Sequence, residues 1–270
     1  MAGVGDDEWL RTGIGRSTPD AITVRGRDLA TELMGKVSFT ELAFLLSADR
    51  LPSPGETRLF DAGLVALADH GLTPSVLAAR LTWTGATESL QGAVAAGLLG
   101  AGNVFLGVVE DTARFLAKVL ADAGAGDPDR QQAAAERAVA AETAAGRRIP
   151  GLGHPTHRVE DPRTPRLYAI AAEAGLPTPH LDLLRIVAVV HAAATGRRLP
   201  INGAGAAGAA WADLGFPPAI IRGFALLART AGLVGHLAEE MEHPIGRHLW
   251  QDVEHRATYT AEPPRPDGRD

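Results

Sequence analysis

A dipeptide in which Ser, Thr or Asp precedes Pro recurs at Ser53-Pro54, Thr73-Pro74, Asp127-Pro128, Thr164-Pro165 and Thr178-Pro179. The side-chain oxygen of the first residue can accept from the unpaired N–H groups of a helix's first turn, and Pro, with its fixed φ and missing N–H, suits that turn. Ser38 with Glu41 and Ser53 with Glu56 add capping boxes. Apolar residues at helical spacing follow each, first Leu42, Leu45 and Leu46, then Leu59, Phe60, Leu64 and Leu67. Further helices are expected over 86–99, 106–121, 130–145, 166–174, 181–194 and 217–237. Strand signals are few: 21–25 is the best, and nothing alternates long enough to build a sheet. The pattern predicts an all-α protein.

At 270 residues the chain is one large domain or two modest ones, long enough to bury a sizeable core. Its 26 Lys+Arg against 32 Asp+Glu give a net charge of −6, with both signs spread along the chain. That is not the electrostatic footprint of a protein that holds nucleic acid by its phosphates. Cysteine is absent, which excludes disulfides, thiolate zinc sites, iron–sulfur clusters and cysteine nucleophiles. Catalysis must then draw on His, Asp, Glu, Arg and Ser/Thr. The first residues carry Asp6, Asp7 and Glu8 before any apolar run, the reverse of a signal peptide, so a cytoplasmic location is expected. Residues 92–109 are eighteen without a charge, but five glycines and Asn103 interrupt them. They read as a buried small-residue helix that turns at 100–102 and continues, not as a membrane span. An internal loop is expected at 123–129 and a disordered tail at 261–270.

Gly203-Ala-Gly-Ala-Ala-Gly208 matches the GxGxxG string of dinucleotide binders. That fingerprint works by joining a buried strand to a helix, with an acid some twenty residues on to hold the ribose. Neither is evident here, so an accidental match in Ala/Gly-rich sequence is the better reading. More specific is the run from Ile149: Ile-Pro-Gly-Leu-Gly-His154-Pro-Thr-His157-Arg158-Val-Glu-Asp161-Pro162-Arg163. Two histidines and two arginines around glycine turns, just before an expected helix N-terminus, suit an anion-binding catalytic loop. Taken alone, the segment would equally serve as a loop whose His and Arg are solvated. His180, His191, His236, His243, His248 and His255 complete no motif and read as structural or surface residues. Trp83, Trp211 and Trp250 read as core or interface packing.

Gly-Leu-Gly-His154 followed by Asp-Pro-Arg163 resembles the signature of the citrate synthase superfamily, and in particular its citryl-CoA lyases. Other segments resemble the family in the same order: Ile22-Thr-Val-Arg-Gly-Arg-Asp-Leu, Ser38-Phe-Thr-Glu-Leu-Ala-Phe-Leu-Leu, Ala68-Asp-His70, the helix from Phe224 through Arg229 to His236, and Ile245-Gly-Arg247-His-Leu-Trp250. The resemblance covers about residues 20–255. It implies a large helical domain, 1–106 plus 214–270, and a small one, 107–213, on the coenzyme A side, with the active site in the cleft between them. It also implies a homodimer.

The resemblance further implies a carboxylate-binding site. Arg163 and Arg229 would clamp carboxylates, Arg247 would do so from a neighbouring subunit, and Asn202 would join them. His70 would hydrogen-bond substrate, and His154 would hold the oxygen at the reacting carbon and take the hydroxyl proton in the cleavage direction. Arg158, with Arg147, Arg148, Arg197 and Arg198, would face coenzyme A, and His157 is a candidate proton relay. The substrates would be a small carboxylate and an acyl-CoA thioester, with no metal, redox cofactor, nucleic acid or membrane. Two departures mark this chain. Phe105 stands where citrate synthases place a second catalytic histidine, and Ala204 where they place the base that enolises acetyl-CoA. The expectation is therefore a carbon–carbon lyase acting on citryl-CoA or a related 3-hydroxy-3-carboxyacyl-CoA. The alternatives are an acyltransferase using a more acidic donor, and a catalytically impaired family member that only binds acyl-CoA or carboxylate.

Overall fold

The computed structural model describes residues 9–123 and 127–260. The acidic opening residues, positions 124–126 of the expected loop and the expected tail lie outside them. Among the described residues the chain forms α1 (Phe39–Ala48), α2 (Pro54–Ala68), α3 (Pro74–Gly85), α4 (Leu90–Leu99), α5 (Gly107–Ala123), α6 (Pro128–Ala144), α7 (Arg163–Glu173), α8 (Pro179–Thr195), α9 (Gly203–Asp213), α10 (Pro218–Glu242) and α11 (Gly246–Arg256). Before them come three short antiparallel strands, β1 (Gly15–Ser17), β2 (Ile22–Val24) and β3 (Arg27–Asp28), and a π-helical turn over Leu29–Leu33. The single strand expected at 21–25 is β2, the middle of that sheet.

Most of the predicted caps form. Ser38 Oγ accepts from Glu41 N and the Glu41 carboxylate accepts from Ser38 N, closing the box on α1. The same exchange joins Ser53 and Glu56 at α2. Thr73 caps α3 and Asp127 caps α6. Two starts differ. Helix α7 begins at Arg163, ahead of the expected Thr164-Pro165 signal, because Asp161 accepts from Arg163 N while the Thr164 hydroxyl donates to the Ile201 carbonyl. At α8 the Thr178 hydroxyl goes to Asp182, and the Asp213 carboxylate caps the helix by accepting from His180 N and Leu181 N. The helix expected over 86–99 starts later, at a Ser89 cap, and after Leu99 the chain turns before α5 begins at Gly107.

Contacts group the chain into two compact units, 1–67 with 103–228, and 68–102 with 229–270. The expected boundaries at 106/107 and 213/214 fall at other places and stay a proposal about functional domains.

The first unit is built around an aromatic cluster. Phe60 meets Phe44 and Phe224 edge-on, with ring centroids 5.5 and 4.9 Å apart, and Trp211, Phe216 and Phe224 complete the group. Helix α9, absent from the sequence expectation, is buried along nearly its whole length. Its glycines are there for contact: a Cβ at Gly205 would lie 2.5 Å from the Gly151 Cα, and one at Gly208 would lie 2.3 Å from the Val109 carbonyl oxygen of α5. The GxGxxG string is thus a helix-packing pattern, and the accidental-match reading holds.

The second unit packs Val76, Ala79, Ala93, Leu233 and Leu237 together, with Trp83, Val94 and Leu98 against them. Trp211 and Trp83 therefore pack in cores, and Trp250, 57% exposed, keeps only the interface half of its expectation. Helix α10 is long and apolar enough to cross a membrane by length and composition. Its buried residues nevertheless sit in these cores, Phe224, Ala225 and Ala228 in the first and Leu233 and Leu237 in the second.

Candidate active site

In the first unit the segment carrying His154 runs antiparallel to the segment leading into α9. Leu152 bridges to Ile201, Gly153 N donates to the Pro200 carbonyl (2.7 Å) and Asn202 N donates to the Gly151 carbonyl (2.9 Å). Gly151 and Gly153 take left-handed φ values of +82° and +83°, which glycine adopts without strain. Asn202 is the clip between the two strands of chain. Its Nδ2 donates to the Gly153 carbonyl (2.8 Å) and its Oδ1 accepts from Gly205 N (2.7 Å), capping α9. The Asn202 amide thus holds the loop through both its nitrogen and its oxygen.

His154 follows directly. Its Nδ1 accepts from Thr156 N (3.1 Å) and His157 N (3.0 Å), so that nitrogen bears no proton and the neutral ring carries its hydrogen on Nε2. The ring therefore offers a donor. Taking a hydroxyl proton at Nε2 would require a proton on Nδ1, against two backbone donors, so the geometry favours holding an oxygen over abstracting its proton. The His157 ring stacks on it, with centroids 4.4 Å apart.

Asp161 is fully buried and joins this loop to two helix N-termini. Its Oδ1 accepts from Arg163 N and Nε, and its Oδ2 from Arg163 Nη2 (2.7 Å) and Gly203 N (2.7 Å). Burial alone would raise its proton affinity, but the Arg163 guanidinium and the Gly203 N–H outweigh that and hold the carboxyl well below its ordinary range. Asp161 is therefore a permanent anion and a poor proton acceptor, even though it lies beside the residue preceding Ala204. Arg163 uses Nε and Nη2 on Asp161 and donates from Nη1 to the Ala66 carbonyl (3.2 Å). Three of its five N–H groups are committed.

The expected coenzyme A arginines lie at the surface. Arg158, Arg148, Arg197 and Arg198 are exposed, and Arg147 pairs with Glu142 through two hydrogen bonds. The antiparallel order puts 197–198 on the same side of the Leu152–Ile201 bridge as 154–158, and 147–148 on the other.

The second unit carries the other expected residues. His70 stands exposed in the turn after α2, next to Asp69, whose carboxylate accepts from Gly71 N (3.0 Å) and from His236 Nε2 (2.8 Å). Burial pushes the Asp69 carboxyl up, but the Gly71 amide and the His236 ring bring it below its usual value. Arg229 is buried on α10, and Arg247 is exposed in the first turn of α11. In the same unit Arg80, 1% exposed, is paired with the buried Glu240 (2.9 Å), with Glu239 and with His236 Nδ1 (2.9 Å). Glu240 also accepts from Ile245 N (3.1 Å) and Gly246 N (2.7 Å), which fixes the start of α11. Sequence reasoning gave no role to Arg80, His236, Glu240 or Asp161. Two of them had a signal: Asp161 stands two residues before Arg163 in the motif, and His236 closes the segment that runs from Phe224 through Arg229.

Residues 50–249 match the family model described as citrate synthase, C-terminal domain. The chain belongs to the citrate synthase family. Citryl-CoA lyase from Hydrogenobacter thermophilus is 32% identical and superposes with a TM-score of 0.82, covering 95% of this chain and 96% of that one. ATP citrate lyase from Methanothrix soehngenii, in complex with citrate and coenzyme A, shares the fold at 22% identity with a TM-score of 0.77, covering 94% of this chain and 42% of that one. ATP-citrate synthase beta chain protein 1 of Oryza sativa subsp. japonica is 25% identical over 215 residues, 73% of this chain. This family member spans only 34% of that plant protein's length. The all-α expectation and the family resemblance both stand.

Proposed function

We propose that this protein cleaves the carbon–carbon bond of citryl-CoA, or of a related 3-hydroxy-3-carboxyacyl-CoA, into an acyl-CoA and a ketoacid. The observation that carries this reading is its similarity to the H. thermophilus citryl-CoA lyase over nearly the full length of both chains. In the proposed step the bond between the hydroxyl-bearing carbon and the thioester α-carbon breaks. Its electron pair stays on the α-carbon as the thioester enolate, and the hydroxyl oxygen becomes the ketone oxygen. His154 donates from Nε2 to that oxygen. The hydroxyl proton passes to a second imidazole, His70 or His157, and the enolate takes up a proton to become the acyl-CoA. Arg163, Arg229 and Asn202 hold the carboxylate-bearing half.

Ala204 offers no base at the position given to it by the family resemblance. Enolising an unactivated acetyl-CoA without a positioned base loses about two to four powers of ten in rate, and Asp161, kept anionic by Arg163, does not replace that base. Cleavage instead generates the enolate and needs only a proton for it.

The proposal extends to Arg158, Arg147, Arg148, Arg197 and Arg198 as the surface facing the coenzyme A phosphates. It also extends to a homodimer in which Arg247 acts on the neighbouring subunit's substrate, to a cytoplasmic location, and to turnover without metal or redox cofactor. Incubating the purified protein with citryl-CoA and following ketoacid release tests it. Release that vanishes in His154→Ala supports the assignment, and no release above that background removes it. Ala204→Asp should raise condensation of acetyl-CoA with oxaloacetate, and unchanged condensation would refute the place given to residue 204.

A further inference from the structure

We propose that His236 is a positioning residue that sets the turn bearing His70, acting through Asp69. The inference rests on the reading of His70 as a substrate ligand. Gly232 lies against the end of α2, where a Cβ would stand 2.0 Å from the Ala68 carbonyl oxygen, so only glycine permits this approach. One helical turn further on, the same face of α10 presents His236. Its Nε2 meets Asp69 Oδ1 at 2.8 Å, and Asp69 Oδ2 accepts from Gly71 N at 3.0 Å, so one carboxylate ties the His236 ring to the residue after His70.

The far side of the ring fixes its tautomer. Arg80 Nη2 lies 2.9 Å from His236 Nδ1. A guanidinium can only donate, so Nδ1 accepts and the proton sits on Nε2, aimed at Asp69. Arg80 is itself held by the buried Glu240 and by Glu239. A chain of fixed polarity thus runs from a buried ion pair through His236 and Asp69 to the His70 turn. A histidine serving only as filler would not need two oriented bonds, one to a buried guanidinium and one to a carboxylate more than 160 residues away in sequence.

The test compares His236→Phe, which keeps ring volume without either bond, with His236→Gln, whose amide can still donate to Asp69. Two quantities are read in each: the exchange rate of the Gly71 amide by NMR, and steady-state kinetics on citryl-CoA. The expected result is faster Gly71 exchange and a KM raised about tenfold in the Phe variant, the upper end of what one hydrogen bond supplies, with both restored to within about threefold in the Gln variant. A filler role reverses that order, with Phe tolerated better than Gln, and overturns the proposal. So does unchanged Gly71 exchange in His236→Phe, whatever the activity, or altered exchange with unchanged kinetics in an active enzyme. If exchange behaves as expected while the unmodified protein fails to cleave citryl-CoA, positioning of the His70 turn stands and only the substrate reading falls.

Discussion

Asp161 with Arg163 in the first unit and Glu240 with Arg80 in the second are built on one plan: a buried carboxylate holds a guanidinium and accepts from the N–H groups that open a helix. They differ in the cation. Arg80 is 1% exposed, whereas Arg163 is 20% exposed and keeps two N–H groups beyond those it spends on Asp161 and Ala66. The Arg80 arrangement fixes structure, and the Arg163 arrangement fixes structure while leaving part of a guanidinium fork uncommitted. A cation held by a buried carboxylate is already oriented before an anion arrives, so less conformational freedom is lost on binding.

The comparison yields a graded series. Arg80→Ala should cost the most, about 3–5 kcal/mol in urea unfolding, because it leaves Glu240 buried without its partner; a loss below about 1 kcal/mol would mean the pair is not closed to water.

Asp161→Asn should cost roughly 2–3 kcal/mol at neutral pH, since two helix N-termini and Arg163 lose a charged acceptor. The effect has a sign in pH. A carboxyl depressed in the folded state contributes its stability in full above the ordinary value of 3.8, and loses it as pH falls from there toward the folded value. The gap between the native protein and Asp161→Asn should therefore narrow below about pH 4. A gap that stays constant or widens on acidification would contradict the Asp161–Arg163 pairing.

Helix α9, whose start Asp161 caps, should resist a single added methyl. Gly208→Ala should cost about 1–3 kcal/mol, because the new carbon would meet the Val109 backbone carbonyl and not a movable side chain; a neutral result by thermal unfolding would show that α9 can shift. The smallest effect belongs to a cap without an ion pair. Ser38→Ala opens the α1 capping box and should lower stability by about 1 kcal/mol, which measures how much of the Asp161 effect is capping and how much is charge.

What could be read from sequence was local. Ser38 and Glu41, or Ser53 and Glu56, lie three residues apart and satisfy each other, so their geometry is contained in their spacing. Thr164 misled because its hydroxyl found Ile201, 37 residues away, while Asp161 did the capping. Helix α9 escaped notice because glycine disfavours helices on propensity, and what overrides propensity there is close approach to Gly151 and to α5, which no local window contains. The motif singled out His154, but it did not contain the state of the ring, which depends on the amides of Thr156 and His157 turning back onto Nδ1. The contacts of Arg80 and His236 were hidden for a similar reason: their partners lie about 160 residues away along the chain.

The central question for this protein is whether the His154 imidazole serves the breaking of a citryl-CoA-type bond. The decisive measurement is a quantitative product assay after mixing enzyme with citryl-CoA, with the ketoacid and the acyl-CoA counted separately for the native protein and for His154→Ala. The account predicts one equivalent of each product per substrate consumed, with the rate falling about 10²–10³-fold when the Nε2 donor is removed. Equal rates in the two proteins, or hydrolysis of the thioester to citrate without a ketoacid, would contradict it.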